Sequence, residues 1–337
     1  MSETTFRVVV VGAGSIGERH IRCFGATGRV AVSFFEPQAQ VRAQIAERYP
    51  ATQALNTFEQ ALSEPFDAAV IATPASVHVA QATALVHRGA HALIEKPLSV
   101  TTTGVAELMR LANERERTVG VAYVYRAHPV LQEMRDAIHS GRFGRPVELV
   151  AVCGQHFPFY RPAYLQTYYT RHETGGGAVQ DALTHIVNAG EWLVGPVIRV
   201  VADVAHCVLE GANVEDTVHV LARQGEVLAS YSLNQHQAPN ESTLTVICER
   251  GTARFEMHGC RWRECTTPGG EWIDHPHQPL ERDELFTRQA NAFLDAIASK
   301  SPPVCDLAEG MQTLKVNRAI LASMMSGRWE SLNGESA

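Results

Sequence analysis

Asp181 and His185 stand four residues apart in the run 178–194, directly after three glycines, Gly175-Gly176-Gly177. Read as an α-helix, this run places Asp181, His185, Asn188 and Trp192 at i, i+4, i+7 and i+11, on one continuous face. Val179, Leu183, Ile186 and Leu193 take roughly the opposite face, and Glu191 is the only other charged residue, so the helix is apolar nearly all round. Ionisable groups in such surroundings are costly unless paired. A carboxylate one turn before an imidazole fixes its tautomer and raises its basicity, which is a general-base arrangement. The same spacing also suits a satisfied structural pair, so the helix alone leaves both readings open. The glycines allow backbone to approach a ligand closely, and Gly195-Pro196 is a helix stop.

A base needs a reaction partner, and the N-terminal third of the chain supplies a place for one. Residues 6–11 form an apolar run of the kind found in a strand buried on both faces of a parallel sheet. Gly12-Ala13-Gly14-Ser15-Ile16-Gly17 follows at once, and a helix pattern opens at Glu18. In that strand-to-helix context G-x-G-x-x-G is a dinucleotide fingerprint, and it makes Gly12, Gly14, Ser15, Ile16 and Gly17 cofactor candidates. Phosphate would rest on the amides at the helix N-terminus. The second strand, 30–35, ends in Glu36, nineteen residues after Gly17. A carboxylate there accepts from ribose hydroxyls and repels a 2′-phosphate, which favours NAD. Two alternatives stand beside this: Glu36 also suits the N-terminus of a helix starting at Pro37, and Arg42 could reach a phosphate, so NADP stays possible.

Further βα units follow. Strand 68–72 ends at Thr73-Pro74, with His78 one turn into the next helix; strand 92–94 ends at Glu95-Lys96-Pro97; residues 118–121 form a third strand. Ligands bind at the carboxyl ends of strands in a doubly wound sheet, which puts Thr73, Pro74, Glu95 and Lys96 on the cofactor side; His78 joins them as a cofactor candidate.

Taken in order, Gly12/Gly14/Gly17, the Thr73-Pro74 to His78 segment, Glu95-Lys96-Pro97 and the triple-glycine helix with Asp181 and His185 resemble the glucose-fructose oxidoreductase/inositol dehydrogenase/rhizopine catabolism family, Gfo/Idh/MocA. The resemblance covers nearly the whole chain. It implies an α/β protein with an N-terminal Rossmann domain, a doubly wound parallel sheet, and a C-terminal α/β domain with an open, mainly antiparallel sheet. It implies that Lys96 contacts both nicotinamide and substrate, and that Asp181 and His185 hold and deprotonate a substrate hydroxyl. Tyr125, Arg126 and Pro129 fit loosely an aromatic-Arg-Pro element of the family, which adds Arg126 to the cofactor candidates. Two positions depart from the pattern: Thr184 stands where the family more often has Gly, and Asn188 where it more often has a second Asp. Asn188 can hydrogen-bond substrate but holds no charge.

The domains are expected at 1–122 for nucleotide binding, 123–300 for substrate binding and oligomerisation, and 301–337 as a closing helical tail. After the crossing, a helix is expected over 131–139 and strands over 147–152, 197–209, 216–223, 227–234, 243–248 and 252–256, with helices over 283–298 and 307–326. Between them, residues 155–171 concentrate aromatics and arginines. Tyr160, Arg161 and Tyr164 there suit a sugar, whose faces stack on rings and whose hydroxyls meet polar tips, and Tyr168, Tyr169 and Arg171 follow. Packing between subunits accounts for the same composition equally well. His275-Pro276-His277 has no matching ligand set nearby and reads as a surface loop, so no metal is expected.

Composition narrows the partners. A formal charge of -7 over 337 residues, without a concentrated basic tract, argues against nucleic acid and membrane surfaces, and no apolar run is long enough to span a bilayer. Seven scattered cysteines without a C-x-x-C pair read as reduced thiols in a cytoplasmic protein. An exposed sheet face favours a homodimer or homotetramer. The expectation is an NAD-dependent dehydrogenase acting on a secondary alcohol of a sugar, cyclic polyol or sugar derivative. Its rivals are an NAD-dependent glycoside-cleaving enzyme that oxidises transiently, and a sugar- or NAD-sensing regulator without catalysis.

Overall fold

A computed structural model describes residues 5–332. The chain divides into two compact units, residues 5–127 with 281–311, and 128–280 with 312–332 among the described residues.

The first unit is a six-stranded sheet, with β1 (Phe6–Val11), β2 (Val30–Phe35), β3 (Gln53–Leu55), β4 (Ala68–Ile71), β5 (His91–Ile94) and β6 (Val119–Val121). Its order is β3-β2-β1-β4-β5-β6 and every pairing is parallel, the doubly wound arrangement expected from the strand runs. Helices α1 (Ser15–Ala26), α2 (Ala39–Arg48), α3 (Phe58–Ser63), α4 (His78–His87) and α5 (Val105–Glu114) make the crossovers. Val8 to Val11 are fully buried, as a strand covered on both faces must be.

The returning segment 281–311 belongs to this unit, not to the second domain or the tail expected from sequence. Ala290, Phe293 and Leu294 of the later helix Glu284–Ser299 join Ile21, Phe24, Val8 and Phe34 in one apolar cluster. Next to it the chain extends the edge at β6: the Val121 amide donates to the Cys305 carbonyl at 2.9 Å, and Gly120 bridges Asp306. A Cβ on Gly120 would stand 3.0 Å from Pro303 and 3.2 Å from the Cys305 carbonyl, so a larger residue there would press on the returning segment.

The second unit contains helix α6 (Pro129–His139) and a nine-stranded sheet. Its strands are β7 (Pro146–His156), β8 (Arg199–Ala205), β9 (Thr217–Gln224), β10 (Val227–Asn234), β11 (His236–Cys248), β12 (Gly251–Glu256), β13 (Arg261–Cys265), β14 (Ile273–Pro276) and β15 (Glu330–Ser331). The order is β14-β13-β12-β11-β7-β10-β9-β8-β15, antiparallel except between β7 and β10. Short helix α7 (Phe157–Tyr160) follows β7, and α8 (Thr184–Val194) packs on β7 and β10. Gly190 permits that packing, because a Cβ there would collide with the Tyr231 hydroxyl. Strand β9 alternates buried Val218, Val220 and Ala222 with outward residues, and Leu221 and Leu228 are exposed on the open side. Helices α9 (Glu284–Ser299) and α10 (Leu307–Ser326) close the chain. His275 and Pro276 end a strand where a loop was expected; the His275 ring stacks on Trp262 at 4.0 Å.

Candidate active site

The three glycines of the first turn do different jobs. Gly12 has φ +90, and a Cβ on it would meet the Ala72 carbonyl at 2.8 Å. A Cβ on Gly17 would overlap the Gly12 carbonyl. Both are demanded by the protein's own packing. Gly14 is different: it is exposed, has ordinary φ, and nothing lies within 4 Å of its Cβ position. The open side of the turn is therefore at Gly14 and Ser15, at the N-terminus of α1 where free amides receive phosphate. Ile16 points inward against the core. Glu36 is buried, and its carboxylate accepts from the Ala13 amide at 2.9 Å and the Gln38 amide at 3.1 Å. It thus braces the glycine turn as well as standing at the end of β2, and its remaining lone pairs suit ribose hydroxyls. These residues fit a dinucleotide. Arg42 donates to the Glu36 backbone carbonyl at 2.6 Å.

The Glu95-Lys96-Pro97 turn is held from two sides. Glu95 is 4 % exposed; one carboxylate oxygen faces His20 Nε2 at 2.7 Å and the other accepts from the Lys96 amide at 3.0 Å. His78, 1 % exposed, places Nδ1 at 3.1 Å from the Pro97 carbonyl and Nε2 at 2.7 Å from the Thr73 carbonyl. Burial pushes the His78 pKa down, against the pull of its carbonyl partners. A neutral ring has one N–H to donate, and both nitrogens face the chain itself. His78 therefore ties two turns together, and its reach to a cofactor runs through them. Pro74 is exposed and Thr73 donates to Gln81 at 2.6 Å. Lys96 is partly exposed. The chain has 26 arginines and three lysines, so almost everywhere it places positive charge on guanidinium. Arginine does not give up its proton in proteins and lysine can, which sets Lys96 apart.

In the second unit the helix with Asp181 and His185 is not uniformly α. Val179–Leu183 is a π turn and α8 begins at Thr184. Insertions of this kind concentrate at functional positions. The turn is anchored by Glu215, which is 3 % exposed. Its carbonyl accepts from the Ala178 amide at 3.0 Å, one carboxylate oxygen accepts from the Val179 amide at 2.8 Å, and the other meets His172 Nε2 at 2.5 Å. A Cβ on Gly177 would strike that carboxylate, and one on Gly176 would strike the Tyr169 carbonyl. Gly177 is thus what lets the chain close on Glu215, and Gly176 what lets it close on the Tyr169 backbone. Asp181 and His185 are each partly exposed while Leu183, Thr184 and residues 186–190 are buried. Asp181 accepts from the Tyr168 hydroxyl at 2.6 Å.

Several expected site residues are placed otherwise. Arg126 is 2 % exposed; its guanidinium donates to the Val304 carbonyl at 3.0 Å and to Glu309 at 2.5 Å, which fastens segment 281–311. Tyr164 is buried with Phe157 and Tyr169 in an aromatic cluster and donates to the Glu210 carbonyl at 2.6 Å, so its hydroxyl serves the loop fold. Asn188 is 1 % exposed, and its amide donates to Thr313 at 3.0 Å. The π turn shifts Asp181 off the 3.6-residue ladder that put it in line with Asn188. Tyr160 and Arg161 remain exposed, the Tyr160 hydroxyl accepting from Asn240 at 2.8 Å. Tyr168 belongs to the aromatic run named from sequence, whereas His172, Glu215 and His20 are missed, and nothing local marks those three. Among the described residues no cluster of three or more His, Cys, Asp or Glu could hold a metal.

A Rossmann unit with a dinucleotide turn and a second unit presenting an acid and an imidazole define the class of two-domain nicotinamide-dependent oxidoreductases. The chain belongs to the Gfo/Idh/MocA oxidoreductase family: residues 6–123 match its NAD-binding Rossmann fold and 131–254 match its C-terminal domain. It is similar to 1,5-anhydro-D-fructose reductase of Ensifer adhaerens, 26% identical over 335 residues that cover 95% of this chain and 96% of that protein. It is also similar to UDP-N-acetylglucosamine 3-dehydrogenase of Acidithiobacillus ferrooxidans, 25% identical over 316 residues covering 91% and 94%. The fold matches levoglucosan dehydrogenase in complex with NADH and levoglucosan at TM-score 0.89 and 19% identity, covering 98% of this chain and 100% of that one. The first unit is therefore the NAD-binding domain of an oxidoreductase.

Proposed function

We propose that this oxidoreductase moves a hydride between nicotinamide and a secondary alcohol carbon of a sugar, cyclic polyol or sugar derivative. Support comes from the relatives, named for anhydrofructose, UDP-N-acetylglucosamine and levoglucosan. The observation that carries the reading is that Asp181 and His185, four residues apart, are both partly exposed where Leu183, Thr184 and residues 186–190 around them are buried. His185 takes or returns the hydroxyl proton, Asp181 orients it and holds a neighbouring hydroxyl, and Lys96 binds the oxygen on which charge develops. NAD, when bound, supplies the hydride acceptor or donor. Gly12, Gly14, Ser15 and Gly17 hold its pyrophosphate and Glu36 its ribose; a carboxylate there disfavours NADP. Tyr160 and Arg161 line the sugar side. The first unit serves the cofactor and the second the substrate. The open face of the nine-stranded sheet, with Leu221 and Leu228 exposed, supports a homo-oligomer. Among the described residues no helix is long and apolar enough to cross a membrane and all seven cysteines are free thiols, which fits the cytoplasm.

The test is a panel of sugars, polyols and their keto forms, including levoglucosan, myo-inositol and 1,5-anhydro-D-fructose, with NAD and NADP couples in parallel, followed at the nicotinamide absorbance. Turnover with NAD that falls by about two orders of magnitude or more in Lys96→Ala and in His185→Ala is expected. NAD binding without turnover on any panel member would move the protein to the sensing class.

A further inference from the structure

Lys96 is held by more than its own turn. Helix α1 starts at the open glycine turn, and on its buried side His20 reaches the Glu95 carboxylate across 2.7 Å, seventy-five residues away in sequence. Both partners are almost wholly buried, at 1 % and 4 % exposure. The second oxygen of the same carboxylate takes the Lys96 amide at 3.0 Å. One side chain therefore connects the helix that begins at the pyrophosphate turn with the backbone atom from which Lys96 hangs. The His20 ring is itself confined, edge-on to Phe286 at 5.7 Å and tilted against Phe24 at 6.2 Å. A carboxylate in such a place is retained only with partners that hold it, so neither end of the link moves alone.

Resting on the reading of Lys96 given above, we propose that His20 and Glu95 are positioning residues for the reaction: they fix the Lys96 backbone against α1, so that binding of the dinucleotide and placement of the ammonium occur in one rigid piece. His78 closes the other side of the turn through the Pro97 carbonyl. Displacement of a catalytic group by about 1 Å costs up to a hundredfold in rate, which is the scale on which such a link acts.

The experiment compares His20→Leu, which removes the donor, with His20→Gln, which can still donate to Glu95, each in the wild type and in Lys96→Ala. Turnover is measured with the fastest compound of the panel and NAD affinity by tryptophan quenching. The three lysines are also labelled by reductive 13C-methylation, so that Lys96 gives a resonance assigned by its loss in Lys96→Ala. His20→Leu is expected to lower kcat about ten- to a hundredfold, with a much smaller change in NAD affinity. It should shift the Lys96 methyl resonance while those of Lys300 and Lys315 stay, and add no further loss in Lys96→Ala; His20→Gln should recover most of the rate. An unchanged kcat and resonance in His20→Leu would overturn the proposal, as would an equal fold-loss with and without Lys96, which marks general destabilisation. Full turnover in Lys96→Ala alone would instead remove the reading of Lys96, and the link with it.

Discussion

The Tyr168 hydroxyl donates to Oδ1 of Asp181 at 2.6 Å, although the residue is 43% exposed. The contact joins the aromatic loop to the π turn and gives Asp181 a donor outside its own helix. A hydrogen bond to a charged acceptor contributes about 1.5–3 kcal/mol, and partial exposure puts this one at the low end. Tyr168→Phe should therefore lower kcat/KM about tenfold, ~1.4 kcal/mol, with NAD affinity intact. Steady-state kinetics at constant pH check this, and an unaltered kcat/KM would show that the phenol only covers the loop.

His172 faces the buried Glu215 carboxylate, and that hydrogen bond holds its pKa above the ordinary value despite the opposing effect of burial. A histidine whose folded pKa is raised stabilises fully below its unfolded pKa of about 6.5, and the contribution disappears as pH rises through the folded value. The Glu215 anchor of the π turn should thus be tightest in mild acid. Between pH 6 and pH 8 the wild type should lose more thermal stability than His172→Gln, whose side chain does not titrate. Parallel melting curves by circular dichroism measure the difference; equal losses would dismiss the pair as a pH-sensitive contact.

The glycine turn offers a separation of folding from binding. Gly12→Ala and Gly17→Ala push a methyl into backbone, at the Ala72 and Gly12 carbonyls, and should lower the melting temperature strongly. Gly14→Ala meets open space in the protein and should melt like the wild type, yet bind NAD about tenfold more weakly or worse, because its methyl enters the volume the pyrophosphate needs. Melting curves and NAD titration on the three variants decide it. Wild-type affinity in Gly14→Ala would put the phosphates elsewhere.

What the sequence discloses here follows the range of the forces involved. Residues 6–17 declare a strand, a turn and a helix start within one stretch, because an apolar run and glycines at fixed spacing are local constraints; the edges of β1, β2 and β10 fall where the runs end. The π turn at Val179–Leu183 leaves no such trace, since a single wider turn does not alter a hydrophobic pattern, and it is what separates Asp181 from the face of Asn188. Arg126 looks the same in sequence whether it faces a phosphate or Glu309, a partner 183 residues away. Phe293 and Leu294 give an amphipathic helix but not the core it serves, which is that of Ile21 and Phe24. His20, buried on a helix, reads as packing until Glu95 is seen opposite it.

The two departures from the family pattern, Thr184 and Asn188, turn out to be one feature. Thr184 accepts from the Asn317 amide at 2.8 Å and Asn188 donates to Thr313 at 3.0 Å, so residues one turn apart on α8 bond residues one turn apart on α10. The Thr313 hydroxyl in turn donates to Glu191 at 2.7 Å. Its single proton is therefore committed, and only a donor such as an amide can satisfy it from the other side. Asp at 188 would bring a second carboxylate to the oxygen that already serves Glu191, at a position 1 % exposed. An uncompensated buried charge costs about 3–5 kcal/mol. Asn188→Asp should then lower the melting temperature by about 6–12 °C, taking ~3 kcal/mol and the response of a domain this size. Glu191→Gln in the same chain should recover part of the loss, because it removes the competing charge. Scanning calorimetry on the single and double variants at neutral pH measures both. A melting temperature unchanged in Asn188→Asp, with turnover raised, would return this position to the substrate and break the link between α8 and α10.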